Sequence, residues 1–451
     1  MKIRYIILLS AVIFSVASCK KSFLDEKSDK SLLVPTTLSD FQSMMDNIIT
    51  MNSTPGLNVI SADEFYTTDN GWKSWVTPME RNSYLWLSNI YEGSTTPDWD
   101  VPYQQVFYAN IVLDGLEAIK PDANTQNNYN QIKGSALFYR AFAFYNLAQL
   151  FAAPYDQRNA TQQPGIPIRL NSDVNIKSVR GTVQQTYDQV ISDLSTAETL
   201  LNAQVTYKSR PGKAAVDALL ARVYLTMGNY TQAAVNATTA IKSNNKLIDY
   251  NTLTPGASRP FPNILPNGND EVLYYATINA YSYSYEALTY IDTDLYNLYE
   301  TNDLRKTVFF RLNGTGYNFR GSYAYFFSGL ATDELYLTRA ECYARLNNLS
   351  GALADLNTLL SNRYVTGTLP FTTTNINAAL TKILLERRKE LISRGTRWTD
   401  LRRLNKEPRF ATTLSRNLDG NTYTLLPNGT RYLFPIPDDE ISGSGIVQNP
   451  R

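Results

Sequence analysis

Residues 213–243, KAAVDALLARVYLTMGNYTQAAVNATTAIKS, constrain the fold more than any other stretch of the chain. Ala218, Leu219, Ala221, Val223, Tyr224 and Leu225 set apolar side chains along one side at helical spacing. The pattern breaks at Met227-Gly228-Asn229-Tyr230, where Gly228 can take the left-handed conformation that ends a helix, having no Cβ to clash. A second helix follows, and its small residues Ala233, Ala234, Ala237 and Ala240 let it lie close against the first. The stretch therefore predicts two helices joined by a tight turn.

The same design returns 119 residues later, where Ala340, Tyr343, Asn348, Ala352 and Leu360 fall on Ala221, Tyr224, Asn229, Ala233 and Ile241. Residues 335–363 are thus expected to form a second hairpin, with Asn347 in place of the turn glycine, since asparagine tolerates a left-handed backbone better than other side chains do. Residues 136–151 give a weaker third relative, with Arg140 on Arg222 and Phe142 on Tyr224. Hairpins of this tetratricopeptide-like kind cannot bury an apolar face alone. Their recurrence predicts a mainly α fold in which stacked hairpins act as a scaffold.

Composition removes several classes of function. With 43% hydrophobic and 18% charged residues over 451 positions, the chain is globular and long enough for one large core or several. It contains no histidine, which takes away the commonest general base, the Ser-His-Asp triad and the usual zinc ligands. A formal net charge of +1 gives no basic field for nucleic acid. No phosphate-binding glycine loop, nucleophile elbow or metal-ligand spacing is found, so no cofactor or metal is expected. The 31 tyrosines instead suit surfaces that need an apolar ring with a wet hydroxyl.

The chain opens on Met1-Lys2-Ile3-Arg4 and an apolar run over 5–16, shorter than the roughly 20 residues that span a bilayer. Residues 1–18 read as an export leader. Val16-Ala17-Ser18-Cys19 resembles a bacterial lipobox, which implies cleavage before Cys19 and lipidation of that cysteine as the new N-terminus. Residues 19–34 then form a tether, and 35–451 a single body. The other cysteine, Cys342, is expected to be buried as a small apolar residue.

Along the body, helices are expected at 38–49, with Thr36, Thr37 or Ser39 as cap, at 101–119, at 129–151 and at 182–201, where Thr182 caps. Residues 152–179 carry Pro154, Pro164, Gly165 and Pro167 and read as an extended connection. Residues 246–327 are the least regular, with a short strand at 271–277 and a helix at 294–305. Tyr281, Tyr283 and Tyr285 alternate as in a strand, with three phenols on one side.

Several blocks resemble one family. FLD at 23–25, PGIPI at 164–168, DELYLTRAECYARL at 333–346, ERRKELISRGTRWTDLRRLNK at 386–406, and YLFPIPDDEI with QNP over 432–450 are similar, in order and spacing, to the SusD/RagB family. These are outer-membrane lipoproteins of the Bacteroidetes that partner TonB-dependent transporters. The resemblance covers nearly all of 19–451. It implies a SusD-like fold: tetratricopeptide-like hairpins carrying long irregular loops and a few short strands, with an N-terminal region over about 35–210, the hairpin at 213–243, a loop-rich region at 246–327 and a C-terminal region at 333–451.

The charged run Glu386, Arg387, Arg388, Lys389, Glu390 and Arg394 reads as scaffold ion pairs. Glu386 with Glu390 and Glu390 with Arg394 share a helical face that Gly395 can end. Trp86, Trp99 and Trp398 read as packing. Binding is expected instead from aromatic rings that stack on flat sugar faces. Trp72 and Trp75 stand in a polar, turn-like segment with Asp69, Asn70 and Lys73, and Tyr281, Tyr283 and Tyr285 form a second candidate group.

By resemblance, the expected function is capture of oligosaccharide or polysaccharide without catalysis, and delivery to a SusC-like TonB-dependent transporter. The protein would be held at the outer membrane, on the cell surface, by lipid on Cys19. A peptide-binding RagB-like receptor and a periplasm-facing tetratricopeptide adaptor are the alternatives.

Overall fold

The computed structural model describes residues 35–451, so the leader, Cys19 and the tether lie outside the described residues. Among the described residues, the helices of eight residues or more are α1 (Leu38–Met45), α2 (Pro97–Leu116), α3 (Gln126–Phe151), α4 (Val183–Leu200), α5 (Lys213–Met227), α6 (Tyr230–Ser243), α7 (Thr332–Arg345), α8 (Leu349–Leu360), α9 (Ile376–Glu390) and α10 (Arg397–Leu404). Each sheet among the described residues is a single pair of short strands. Among the described residues, no helix is long and apolar enough to cross a membrane.

Both hairpins form as their turn residues dictate. Gly228 sits at φ 76°, and Asn229 caps α6 by accepting from the Gln232 amide. Asn347 takes φ 60° at the equivalent place, and Asn348 caps α8 by accepting from the Gly351 amide. Because an added Cβ at Gly228 would meet nothing closer than the Tyr230 hydroxyl at 3.9 Å, the strain there is purely that of the backbone. Gly228→Ala is expected to cost about 1 kcal/mol, and Gly228→Asn less, read as shifts of the urea midpoint.

The two hairpins stack through α6 on α7, burying Cys342 with Leu225, Ala233 and Ala234. The weaker third relative lies within α3, which packs between α2 and α4 and is buried over nearly all of 134–151. Its buried phenylalanines, Phe138, Phe142, Phe144 and Phe151, each stabilise the core by roughly 1.5–3 kcal/mol. Arg140 and Arg222, matched in the sequence, play the same part: each is buried and forks onto an acid of a neighbouring helix, Asp193 of α4 at 2.7 Å and Glu334 of α7 at 2.5 Å.

Other expectations hold in type but shift in extent. Thr37 and Thr182 each cap their helix within a reciprocal capping box. The helix expected over 38–49 stops at Met45, and Asn47 caps a separate turn at Ile48–Met51. The expected helix at 294–305 is two short ones, Thr293–Asn297 and Arg305–Val308, because Asp303 and Arg305 turn inward to pair with each other at 2.8 Å. The connection at 152–179 is extended only in part: residues 157–162 form turns, and the Pro164–Pro167 strand pairs antiparallel with Arg180–Thr182. The strand at 271–277 divides into Val272–Tyr274, paired with Leu330–Ala331, and Thr277–Ile278, paired with Ser53–Thr54.

The charged run of α9 is scaffold, but the pairing differs from a helical face. The helix ends at Glu390, before Arg394, so the i,i+4 contact between those two is lost. Gly395, at φ 72°, lies in the link to α10 and does not cap α9. Glu390 instead accepts from Arg305 at 2.9 Å and Arg363 at 2.7 Å, and Arg394 meets Asp333 at 2.6 Å. All of these groups are buried, as are Trp86, Trp99 and Trp398.

Glu64 is a buried acid of another kind. One carboxylate oxygen accepts from the Ser393 amide at 3.1 Å and the other has no partner. Burial, more than the neighbouring Asp63 charge, raises its pKa to about 8. A folded value above the ordinary one means the native state holds the proton more tightly. The contribution is therefore full below about pH 4.5 and is lost as pH rises through about 8. Glu64→Gln is expected to remove that slope and to be about 2 kcal/mol more stable than the parent at pH 8.5, with little difference at pH 4.5, measured by denaturant titration at both pH values.

Candidate ligand-binding groove

Three irregular segments of the loop-rich region meet around a groove of about 460 Å³. The first is a 3-10 turn at Ser282–Ser284, the second is the hairpin of Phe310–Asn313 and Gly316–Phe319, and the third is the aromatic turn at 321–327. The first of these is not the strand that alternating tyrosines predict. Buried Glu80 accepts from the Ser282 hydroxyl at 2.7 Å and from the Tyr283 amide at 2.9 Å, which curls the backbone.

That curl sorts the three tyrosines. Tyr281 and Tyr283 turn inward: the Tyr281 hydroxyl donates to Asp98 at 3.0 Å and the Tyr283 hydroxyl to the Gly56 carbonyl at 2.8 Å. Tyr285 points outward and is 63% exposed. Its ring lies nearly parallel to that of Tyr325, with centroids 5.8 Å apart and planes 16° apart, and Phe326 meets it edge-on at 5.0 Å. The Tyr325 hydroxyl donates to the Ser284 carbonyl at 2.8 Å, which fixes the pair in place before any ligand arrives.

Polar groups frame this platform. Asn318 donates to the Ala287 and Thr289 carbonyls at 3.1 and 2.6 Å, and Asn313 donates to Ala287 at 2.8 Å, so the hairpin is tied to the segment after Tyr285. Arg311, Arg320 and Glu286 complete the charged lining. An apolar ring surface with a few convergent polar groups is the usual make-up of a small-ligand site.

The N-terminal candidates are placed differently. Residues 61–75 are not a loop: Phe65–Thr67 pairs antiparallel with Thr289–Ile291, and Thr68 then caps a short helix, Asp69–Ser74. Trp75 follows that helix into the interior, where its indole donates to Thr289 at 3.2 Å and packs edge-on against Tyr84 and Tyr283. Trp72 is half-buried and donates to the Arg81 carbonyl at 3.1 Å, away from the groove lining. Asp69 and Asn70 are exposed, and Asp69 accepts from the Asp419 amide at 2.9 Å, where Lys73 also pairs with Asp419 at 2.7 Å. The short helix touches the groove only through Ser74, which donates to Glu286 at 2.9 Å.

Of the candidates named from sequence, the groove thus presents Tyr285 to solvent, with Tyr283 in its wall. Sequence reasoning missed Tyr325, Phe326, Arg311, Asn313, Asn318 and Arg320. The available signal was the SYAYFF run between Gly321 and Gly329, where aromatics follow turn residues in place of a periodic core pattern.

Among the described residues, one set of acids is close enough to suggest a cation: buried Glu271, Asp333 and Glu390, with oxygens within 4.8 Å of one another. Arg363 bridges Glu271 and Glu390 at 2.5 and 2.7 Å, and Arg394 pairs with Asp333. Guanidinium groups therefore already supply the positive charge there.

The stacked-hairpin fold is shared with solved structures. A SusD superfamily protein from Bacteroides thetaiotaomicron superposes with a TM-score of 0.74 at 23% identity, covering 92% of this chain and 100% of that one. A SusD-like carbohydrate binding protein from Bacteroides vulgatus gives 0.68 at 19% identity, covering 91% and 97%. Residues 22–225 match the SusD-like family model described as starch-binding associating with outer membrane. SusD-like protein P2 of Formosa agariphila is 29% identical over 146 residues, 32% of this chain, and the match spans only 26% of that relative's length. The chain is thus similar to SusD-like proteins, in sequence over residues 22–225 and in fold over nearly all of the described residues.

Proposed function

We propose that the protein binds oligosaccharide or polysaccharide in the groove at Tyr285, Tyr325 and Phe326, without chemical change, and hands it to a SusC-like TonB-dependent transporter. Lipid on Cys19 would hold it at the outer membrane, facing outward. The observation that carries this reading is the exposed, pre-fixed tyrosine pair set among amide and guanidinium groups, which suits the apolar face and hydroxyl edge of a sugar ring. The names of the carbohydrate-binding structural neighbour and of the starch-binding family model support the ligand class.

Isothermal titration of the mature chain against a panel of polysaccharides and peptides tests the reading, together with protease treatment of intact cells. Saturable binding to at least one glycan and digestion at the cell surface are expected. Binding to peptides alone, or a chain fully protected on intact cells, would overturn it in favour of a peptide receptor or a periplasmic adaptor.

A further inference from the structure

We infer that the groove selects anionic glycans, those whose sugars carry carboxylate or sulfate groups. The inference rests on the glycan-binding reading and on the charges that line the groove. The chain as a whole is close to neutral, at +1, so a local excess of one sign is not a by-product of composition. Among the titratable residues of the groove, two are arginines and one is an acid.

The acid is already engaged. Glu286 accepts from the Ser74 hydroxyl at 2.9 Å through one oxygen and from the Leu288 amide at 3.2 Å through the other. Neither arginine is paired with it. Arg320 donates through Nη2 to the carbonyls of Gly256, at 3.1 Å, and Ala257. This holds one edge of its guanidinium against the neighbouring loop, and its remaining N–H groups meet no acceptor among the described residues.

Arg311 is exposed on the strand Phe310–Asn313 and enters no ion pair among the described residues. It lines the same groove as Tyr285, Tyr325 and Phe326. A guanidinium fork fits a carboxylate or a sulfate through two parallel N–H donors, which a neutral hydroxyl cannot match. The Arg311 fork and the free N–H groups of Arg320, beside one stacking surface, give a site for a sugar bearing a negative group.

The test compares three oligosaccharides of equal length, one neutral, one uronate-bearing and one sulfated, titrated into the mature chain, into Arg311→Gln and into Tyr285→Ala. The expected result is that at least one anionic ligand binds tenfold or more tightly than the neutral one, and that the preference falls about tenfold in Arg311→Gln. It should also shrink between low and high salt, as exposed charge pairs do. Whichever anionic arm is preferred names the group recognised. If the neutral ligand binds as tightly as both anionic ones and Tyr285→Ala abolishes that binding, the charge inference fails and the glycan reading stands. If none of the three binds, both fail.

Discussion

Arg305→Leu is expected to destabilise the protein by about 3–5 kcal/mol at pH 7, because it takes the shared guanidinium away from a buried cluster of acids. Arg305 is wholly buried and spends its guanidinium on three carboxylates: Asp303 through Nε and Nη2 at 2.9 and 2.8 Å, Glu386 at 2.5 Å and Glu390 at 2.9 Å. Leucine fills much of the space but leaves the three carboxylates with only Lys389, Lys382 and Arg363 to balance them. Arg305→Lys keeps the charge and loses the fork, so an intermediate loss is expected. Denaturant midpoints of the three proteins give the order.

The effect should depend on pH in a definite direction. Burial alone would raise the Glu386 pKa, but Arg305, Lys389 and Lys382 more than offset it and hold the group at about 2. A folded value below the ordinary one contributes stability that is present above about pH 4.5 and lost as pH falls through about 2. Removing Arg305 takes much of that contribution away. The gap between Arg305→Leu and the parent should therefore be full at pH 7 and narrower at pH 3.5. An equal gap at both pH values would mean that the loss is one of packing.

What the sequence made legible follows from the range of the forces involved. The hairpins were readable because helical spacing and the turn residues Gly228 and Asn347 act within a few positions of one another. The charged run on α9 was readable as scaffold, yet its partners were not: Arg305 lies 81 residues from Glu386, and no spacing rule reaches that far. Local structure around the candidate site residues departs from the sequence reading for the same reason. Alternation at Tyr281, Tyr283 and Tyr285 predicts a strand, but Glu80, 202 residues before Ser282, bends the segment into a 3-10 turn. The polar run around Trp72 and Trp75 reads as a loop, whereas the Thr68 cap makes it a short helix that carries Trp75 inward. Tyr285 stands beyond the bend and stays exposed, as a loop tyrosine would, while Tyr325 and Arg311 join it in the groove only through tertiary structure.

The Tyr285→Ala, Tyr325→Ala double variant is expected to lose about 2–3 kcal/mol of glycan affinity, roughly 30- to 150-fold, with the fold intact. The two rings form one surface, and Tyr325 in turn positions Tyr285, so the single variants should not add. Tyr325→Phe separates contact from positioning: it keeps the ring and removes only the hydroxyl that donates to the Ser284 carbonyl, so a smaller loss is expected, about 1 kcal/mol. Trp75→Ala should behave in the opposite way, lowering stability by about 3–5 kcal/mol as a large buried side chain is removed, while any folded protein still binds. Trp72→Ala, outside the groove lining, should change affinity little. Titration calorimetry beside thermal denaturation reads both quantities for each variant. Undiminished binding by the double variant, with a loss in Trp72→Ala instead, would move the ligand from the loop-built groove to the short helix at Asp69–Ser74.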